Sequence, residues 1–187
     1  MENKILIKLL GVPCVGCTSI CTRYTMNIFV ENYHQCVIVD YYHKTVTIKD
    51  KKYELDIDDS TSTLNFYALT ELMIKHSNII VLVYSIDSKS SFNEMCTILN
   101  LVHKTLGVDT LRTIPAVICG NKNDLENKRE VSYIEGQKLA EKEGCLFYEI
   151  SALKNINLTE MFEKAVSCYV NTKSNEADQQ YEICKLW

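Results

Sequence analysis

Two segments, "NIIVLVYSI" (78–86) and "IPAVICG" (114–120), are almost continuously apolar and rich in β-branched residues. A strand with one wet face alternates apolar and polar side chains, so unbroken runs like these must be covered on both faces. Four further runs read as strands: "KILIKLL" (4–10), "VIVDYYHKTVTIK" (37–49), "KYELDI" (52–57) and "CLFYEIS" (145–151). Helical periods lie between them, most clearly at Leu158, Met161, Phe162, Ala165, Val166, Tyr169 and Val170, which share one helix face. The short charged turn in "TIKDKKYEL" joins two strands as an antiparallel hairpin. The order is therefore βα, ββα, βα, βα, βα. It predicts an α/β fold, a doubly wound, mostly parallel six-stranded sheet with one antiparallel edge hairpin and helices on both faces. In such a sheet the ligand site lies at the carboxyl ends of the strands.

With 187 residues and no internal repeat, the chain reads as one domain over 1–172 followed by a flexible polar tail over 173–187. The net charge of −4 and the lack of a Lys/Arg-rich run argue against nucleic acid or an anionic membrane as the main partner. Apolar stretches fall far short of a membrane span. "ILIKLLGVPCV" has the look of a signal h-region, but Lys8 interrupts it and Glu2 precedes it, which fits a strand and loop better. Nine cysteines, an odd number scattered through apolar segments, suit reduced thiols and a cytoplasmic setting.

The first strand runs into "LLGVPCVGCTSI" (9–20), a Gly, four residues, a second Gly and a hydroxyl residue just beyond, with Cys17 where a phosphate-binding loop needs lysine. Following a strand and opening a helix, Gly11, Cys14, Val15, Gly16, Cys17, Thr18 and Ser19 would turn backbone N–H groups toward phosphates. Two such glycines by themselves also suit an ordinary tight turn. Two later loops add to the signal. "NKND" (121–124) and "ISAL" (150–153) each follow a strand, so they reach the same sheet edge. The Asp124 carboxylate can accept both the N1 and N2 hydrogens of guanine, which adenine cannot reciprocate. Turn capping explains either loop separately, but poorly explains all three together.

On these motifs, and on "LVYSIDSKSSFNEM", "GNKNDL" and "REVSYIEGQKLAEKEGCLFYEISA", the chain resembles a small GTPase of the Ras-like superfamily, in its Ras and Rheb branch, over roughly 3–172. The resemblance implies a P-loop G domain that binds GTP or GDP with Mg²⁺. Asn121, Lys122 and Asp124 match the guanine-specificity motif. Ser151 and Ala152 match the family's "SAK", with Leu153 in place of its lysine. Phe29 falls where the family holds an aromatic against the base, and Tyr33 where it lays one over the phosphates. Thr18 matches the magnesium-binding hydroxyl and Asp59 the carboxylate that holds the metal through water. Effectors or regulators would meet residues 31–47 and 59–75.

The departures gather on the phosphate side. Cys17 removes a charge-assisted contact worth on the order of 2 to 5 kcal/mol, or roughly 30-fold to several thousand-fold in affinity. Pro13 fixes φ, deletes an N–H and crowds the entry of a partner's arginine. Cys36 aligns with the first-switch threonine, and a neutral thiol is a poor ligand for Mg²⁺. In "DSTST" Ser62 stands for the family glycine and Thr63 for the catalytic glutamine, so no catalytic residue is assigned. The resemblance, so modified, implies a nucleotide-binding signalling protein with weak or absent hydrolysis and a weakened Mg²⁺ site.

Two other readings stand beside it. The chain could be a nucleotide-free pseudo-GTPase whose first switch and strand 37–47 form a protein-binding edge. Alternatively Cys14, Cys17 and Cys21, with His34 and Cys36, could bind zinc or form a redox switch. At the end of the chain, Cys184 in "CKLW" has the register of a prenylation box, although Lys185 and Trp187 are unusual in one. A single lipid there would give marginal, reversible attachment to a cytoplasmic membrane face.

Overall fold

Strand β4 (Ile79–Ser85) is buried at all seven positions, and its side chains divide between two cores. Ile79, Val81 and Val83 enter one cluster, while Ile80, Leu82 and Tyr84 enter the other. That division is the period-2 alternation of a strand covered on both faces. The computed structural model describes residues 3–30, 41–59, 67–107 and 114–185, with side chains at all of these except 67–69 and 175–185.

Around β4 lie β1 (Lys4–Gly11), β2 (Tyr41–Ile48), β3 (Lys51–Asp58), β5 (Ala116–Asn121) and β6 (Leu146–Glu149), in the sheet order β2-β3-β1-β4-β5-β6. β2 and β3 pair antiparallel and every other neighbouring pair is parallel, as the sequence predicts. The β2–β3 turn is two residues long, and Lys49 and Asp50 both take positive φ, 49° and 63°. Such a left-handed pair matches the twist of the strands it joins. The part of the sequence-predicted strand over 37–40 lies outside the described residues.

The helices are α1 (Cys17–Met26), α2 (Tyr67–His76), α3 (Lys89–Leu106), α4 (Tyr133–Glu143) and α5 (Leu158–Lys185). α1 and α5 cover one face: Ile20 and Tyr24 meet Met161, Phe162 and Val166 there, and the Tyr24 and Phe162 rings stack 4.0 Å apart. α2, α3 and α4 cover the other through Ile74, Phe92, Met95, Leu99 and Ala140. The apolar stripe expected of the last helix is buried at Leu158, Met161, Phe162, Ala165, Val166 and Val170, and Tyr169 packs beside it half-buried. The helix runs on past this stripe. Over the polar tail that the sequence sets apart from 173, the backbone is helical to Lys185. Extending a helix already nucleated by packing fixes one residue per hydrogen bond gained, and Glu, Ala, Gln and Lys in that segment tolerate it well.

Lys8, which interrupts the first apolar run, is almost fully buried and lies 3.0 Å from the equally buried Asp58. The two residues face each other in the β1–β3 register. A charge in a strand core is tolerable when an opposite charge sits within hydrogen-bond reach.

Candidate functional site

The carboxyl ends of β1, β3 and β5 deliver Gly11, Asp59 and Asn121 to one edge of the sheet. From Gly11 the chain turns through Val12, exposed Pro13 and exposed Cys14 to buried Val15, with Cys14 at φ 70°. Gly16, at φ 97°, then starts α1, and no side-chain hydrogen bond caps that helix. A Cβ at Gly16 would sit 2.5 Å from Asn121 Nδ2, so both the dihedral and the close approach require glycine. No acidic residue occupies the first turn of α1, so no side chain of that turn offsets the positive end of the helix dipole.

Asn121 ties the loops together. Its Nδ2 donates to Val15 O at 2.8 Å and its Oδ1 accepts from Ala152 N at 3.2 Å. One amide therefore spans the β1–α1 loop and the loop after β6. Lys122, at φ 65°, opens a short 3-10 helix over Asn123–Lys128, and its Nζ lies 3.9 Å from Asp87. Ser151 donates its hydroxyl to Asp124 and accepts Lys154 N at 3.0 Å. Ser151 and Ala152 are buried, whereas residues 153–157 are exposed. Phe29 is half-buried and packs against the α1–α5 core, and Leu153 is 45% exposed. The structure thus brings Gly11, Val15, Gly16, Asn121, Lys122, Asp124, Ser151 and Ala152 to one edge.

The first residue of α1 offers a thiol, not an ammonium. Cys17 Sγ would lie 3.0 Å from a Cβ at Gly11, so the thiol folds back over the end of β1. Burial, and then the negative charge of Asp59, pushes the Cys17 thiol up to about 12. Burial drives Cys21 and Cys119 up as well. These thiols stay neutral at physiological pH and are poor nucleophiles and poor metal ligands. Among the described residues, no group of three or more His, Cys, Asp or Glu side chains is placed to hold a metal ion. Asp59 is buried directly after β3, and Thr18 lies in the first turn of α1.

Tyr33, His34, Cys36, Ser62 and Thr63 lie outside the described residues, as does the side chain of Cys184. Sequence reasoning missed Arg23. Its Nε donates to Ala152 O at 3.0 Å, its Nη2 to Leu153 O at 3.1 Å and its Nη1 to Asn27 O at 3.1 Å. The guanidinium carbon stands 5.7 Å from the centre of the Phe29 ring. Nothing local marks this arginine, because two of its three acceptors come from the other end of the chain.

A family model, that of the Ras family, matches residues 5–171. Among similar proteins, Ras-like protein rasV of Dictyostelium discoideum is 37% identical over 166 residues, 89% of this chain and 71% of the relative. Ras-like protein rasX of the same organism is 35% identical over 169 residues, 89% of this chain and 78% of the relative. GTP-binding protein drn-1 of Caenorhabditis elegans is 35% identical over 162 residues, 86% and 73% of the two chains.

Proposed function

This chain belongs to the Ras family of small GTP-binding signalling proteins, and on that premise we propose that it binds GTP or GDP at the edge built by Asn121, Asp124, Ser151 and Ala152. The observation that carries this reading is the convergence of those four residues on one another and, through Asn121, on Val15 of the β1–α1 loop. Asp124 would read the guanine N1 and N2 hydrogens, Lys122 would lie along the base and ribose, and Phe29 and Leu153 would flank the base. Gly11 and Cys14 to Ser19 would face the phosphates with backbone donors, a role supported by the uncapped start of α1. Thr18 and Asp59 offer hard oxygen donors suited to Mg²⁺. The metal, when bound, would supply positive charge to the phosphates.

We assign weak or absent hydrolysis to this site. Phosphoryl transfer depends on positioning and on neutralising charge. A neutral thiol at Cys17 adds no charge, and Thr63 in place of glutamine has the wrong reach to orient water. Effectors or regulators would engage 31–47 and 59–75, where edge strand β2 exposes Tyr41, His43, Thr45 and Thr47. The nucleotide-free reading has its own supporting observation. Asn121, Ser151 and Asp124 join the loops to one another through direct protein hydrogen bonds, which supports a module whose edge is held by its own side chains. Among the described residues no helix is long and apolar enough to cross a membrane. Membrane attachment through a lipid on Cys184 is a proposal carried by sequence alone.

The test is to purify the protein in Mg²⁺, denature it and identify any released nucleotide by chromatography. GTP near one per chain is the expected result for a binder that hydrolyses poorly. GDP would mean that turnover survives. Empty protein that also ignores labelled guanine nucleotide at micromolar concentration would overturn binding and leave the nucleotide-free module.

A further inference from the structure

We propose that Arg23 is a positioning residue for the guanine base, holding the loop after β6 against α1 at Ala152 and Leu153, where its buried and exposed halves meet; this rests on the guanine-nucleotide reading above. That loop has two unlike halves. Ser151 and Ala152 are buried, and side chains of β5 and its following turn grip them: Asn121 Oδ1 accepts Ala152 N, and Asp124 accepts the Ser151 hydroxyl. Residues 153–157 are exposed, with Asn155 and Asn157 in left-handed conformations at φ 55° and 56°. Their hydrogen bonds run back to the inner half and to the end of β6, from Ile156 N to Ser151 O, from Lys154 N to Ser151 Oγ and from Asn157 Nδ2 to Glu149 O.

Arg23 ties the junction of the two halves to a different element. Its Nε and Nη2 donate to the carbonyls of Ala152 and Leu153, two consecutive peptide units, in the fixed geometry of a planar fork that an ammonium lacks. The third bond, from Nη1 to Asn27 O, fastens the same guanidinium to the left-handed residue that ends α1. Phe29 follows two residues later, with its ring centre 5.7 Å from the guanidinium carbon. One side chain thus joins Ala152, proposed to meet the base edge, to the aromatic proposed to meet its flank. Binding then costs less, because the loop and Phe29 need not be ordered when the base arrives.

The test compares wild type, Arg23→Gln and Arg23→Lys for dissociation of labelled GDP in Mg²⁺ and for competition by GDP against ADP. Loss of charge-assisted bonds to the loop should speed GDP release in Arg23→Gln by about 10-fold to 100-fold. The preference for GDP over ADP should fall with it, since the misplaced loop no longer presents its donor and acceptor set to the base. Arg23→Lys, which keeps the charge and loses the fork, should fall between the two, and it carries the test if Arg23→Gln does not fold. Wild-type binding with release from both variants within about twofold of wild type would overturn the role. So would parallel weakening of GDP and ADP, which marks general loosening. Failure of wild type to bind any guanine nucleotide would instead overturn the nucleotide reading, and this inference with it.

Discussion

Cys17 sets a neutral thiol at the start of α1, and its burial and the Asp59 charge keep it neutral far above physiological pH. Replacing it restores a cation at a helix N-terminus already suited to anions. Cys17→Lys is expected to tighten GTP binding roughly 30-fold to several thousand-fold, read by equilibrium competition with labelled nucleotide. Unchanged affinity would mean that phosphates do not reach this position. The Lys8–Asp58 pair makes a second prediction at this scale. Both side chains are almost fully buried, so Lys8→Met alone leaves a carboxylate without its ion-pair partner in the core. A loss of about 3–5 kcal/mol in urea unfolding is expected. The double replacement Lys8→Met with Asp58→Leu should recover most of it. Lys8 was visible in the sequence as an interruption, but its partner 50 residues away was not. Pairing across β1 and β3 is a matter of register, which only the assembled sheet defines.

The elements themselves were legible where one face is buried. α5 shows its apolar stripe in the sequence, and the same residues fill the core. Its continuation to Lys185 was not legible, because helix propagation beyond a packed segment needs no apolar period. α4 shows a further limit. Gly136 lies inside it, buried, and a Cβ there would stand 2.5 Å from Phe147 Cε2 and 2.6 Å from the Tyr84 hydroxyl oxygen. Gly136→Ala gains about 1 kcal/mol of helix propensity but meets two core rings at impossible distances, an overpacking cost of about 1–3 kcal/mol. A net loss of stability is therefore expected in denaturant melts. A gain would show that α4 can shift outward without cost.

At the scale of the whole molecule, the nucleotide reading links binding to stability. A ligand that binds only the folded chain adds about 2.7 kcal/mol at 100 times its Kd. For a chain of this length, at about 2–4 °C per kcal/mol, GDP or GTP should raise Tm by about 5–10 °C while ADP leaves it unchanged. A melt insensitive to guanine nucleotide would favour the nucleotide-free module. The sequence by itself determined the kind and order of the elements, since hydrophobic period and turn chemistry are local properties. It also located three loops at one sheet edge and marked Cys17 as a lost charge, because a βα order places every such loop at the carboxyl ends of the strands. Tertiary structure alone decided which side chains close the site. Arg23 reaches Ala152 across 129 residues of chain and Asn121 reaches Val15 across 106. Contacts at such separations depend on how strands and helices pack, and no local pattern encodes them.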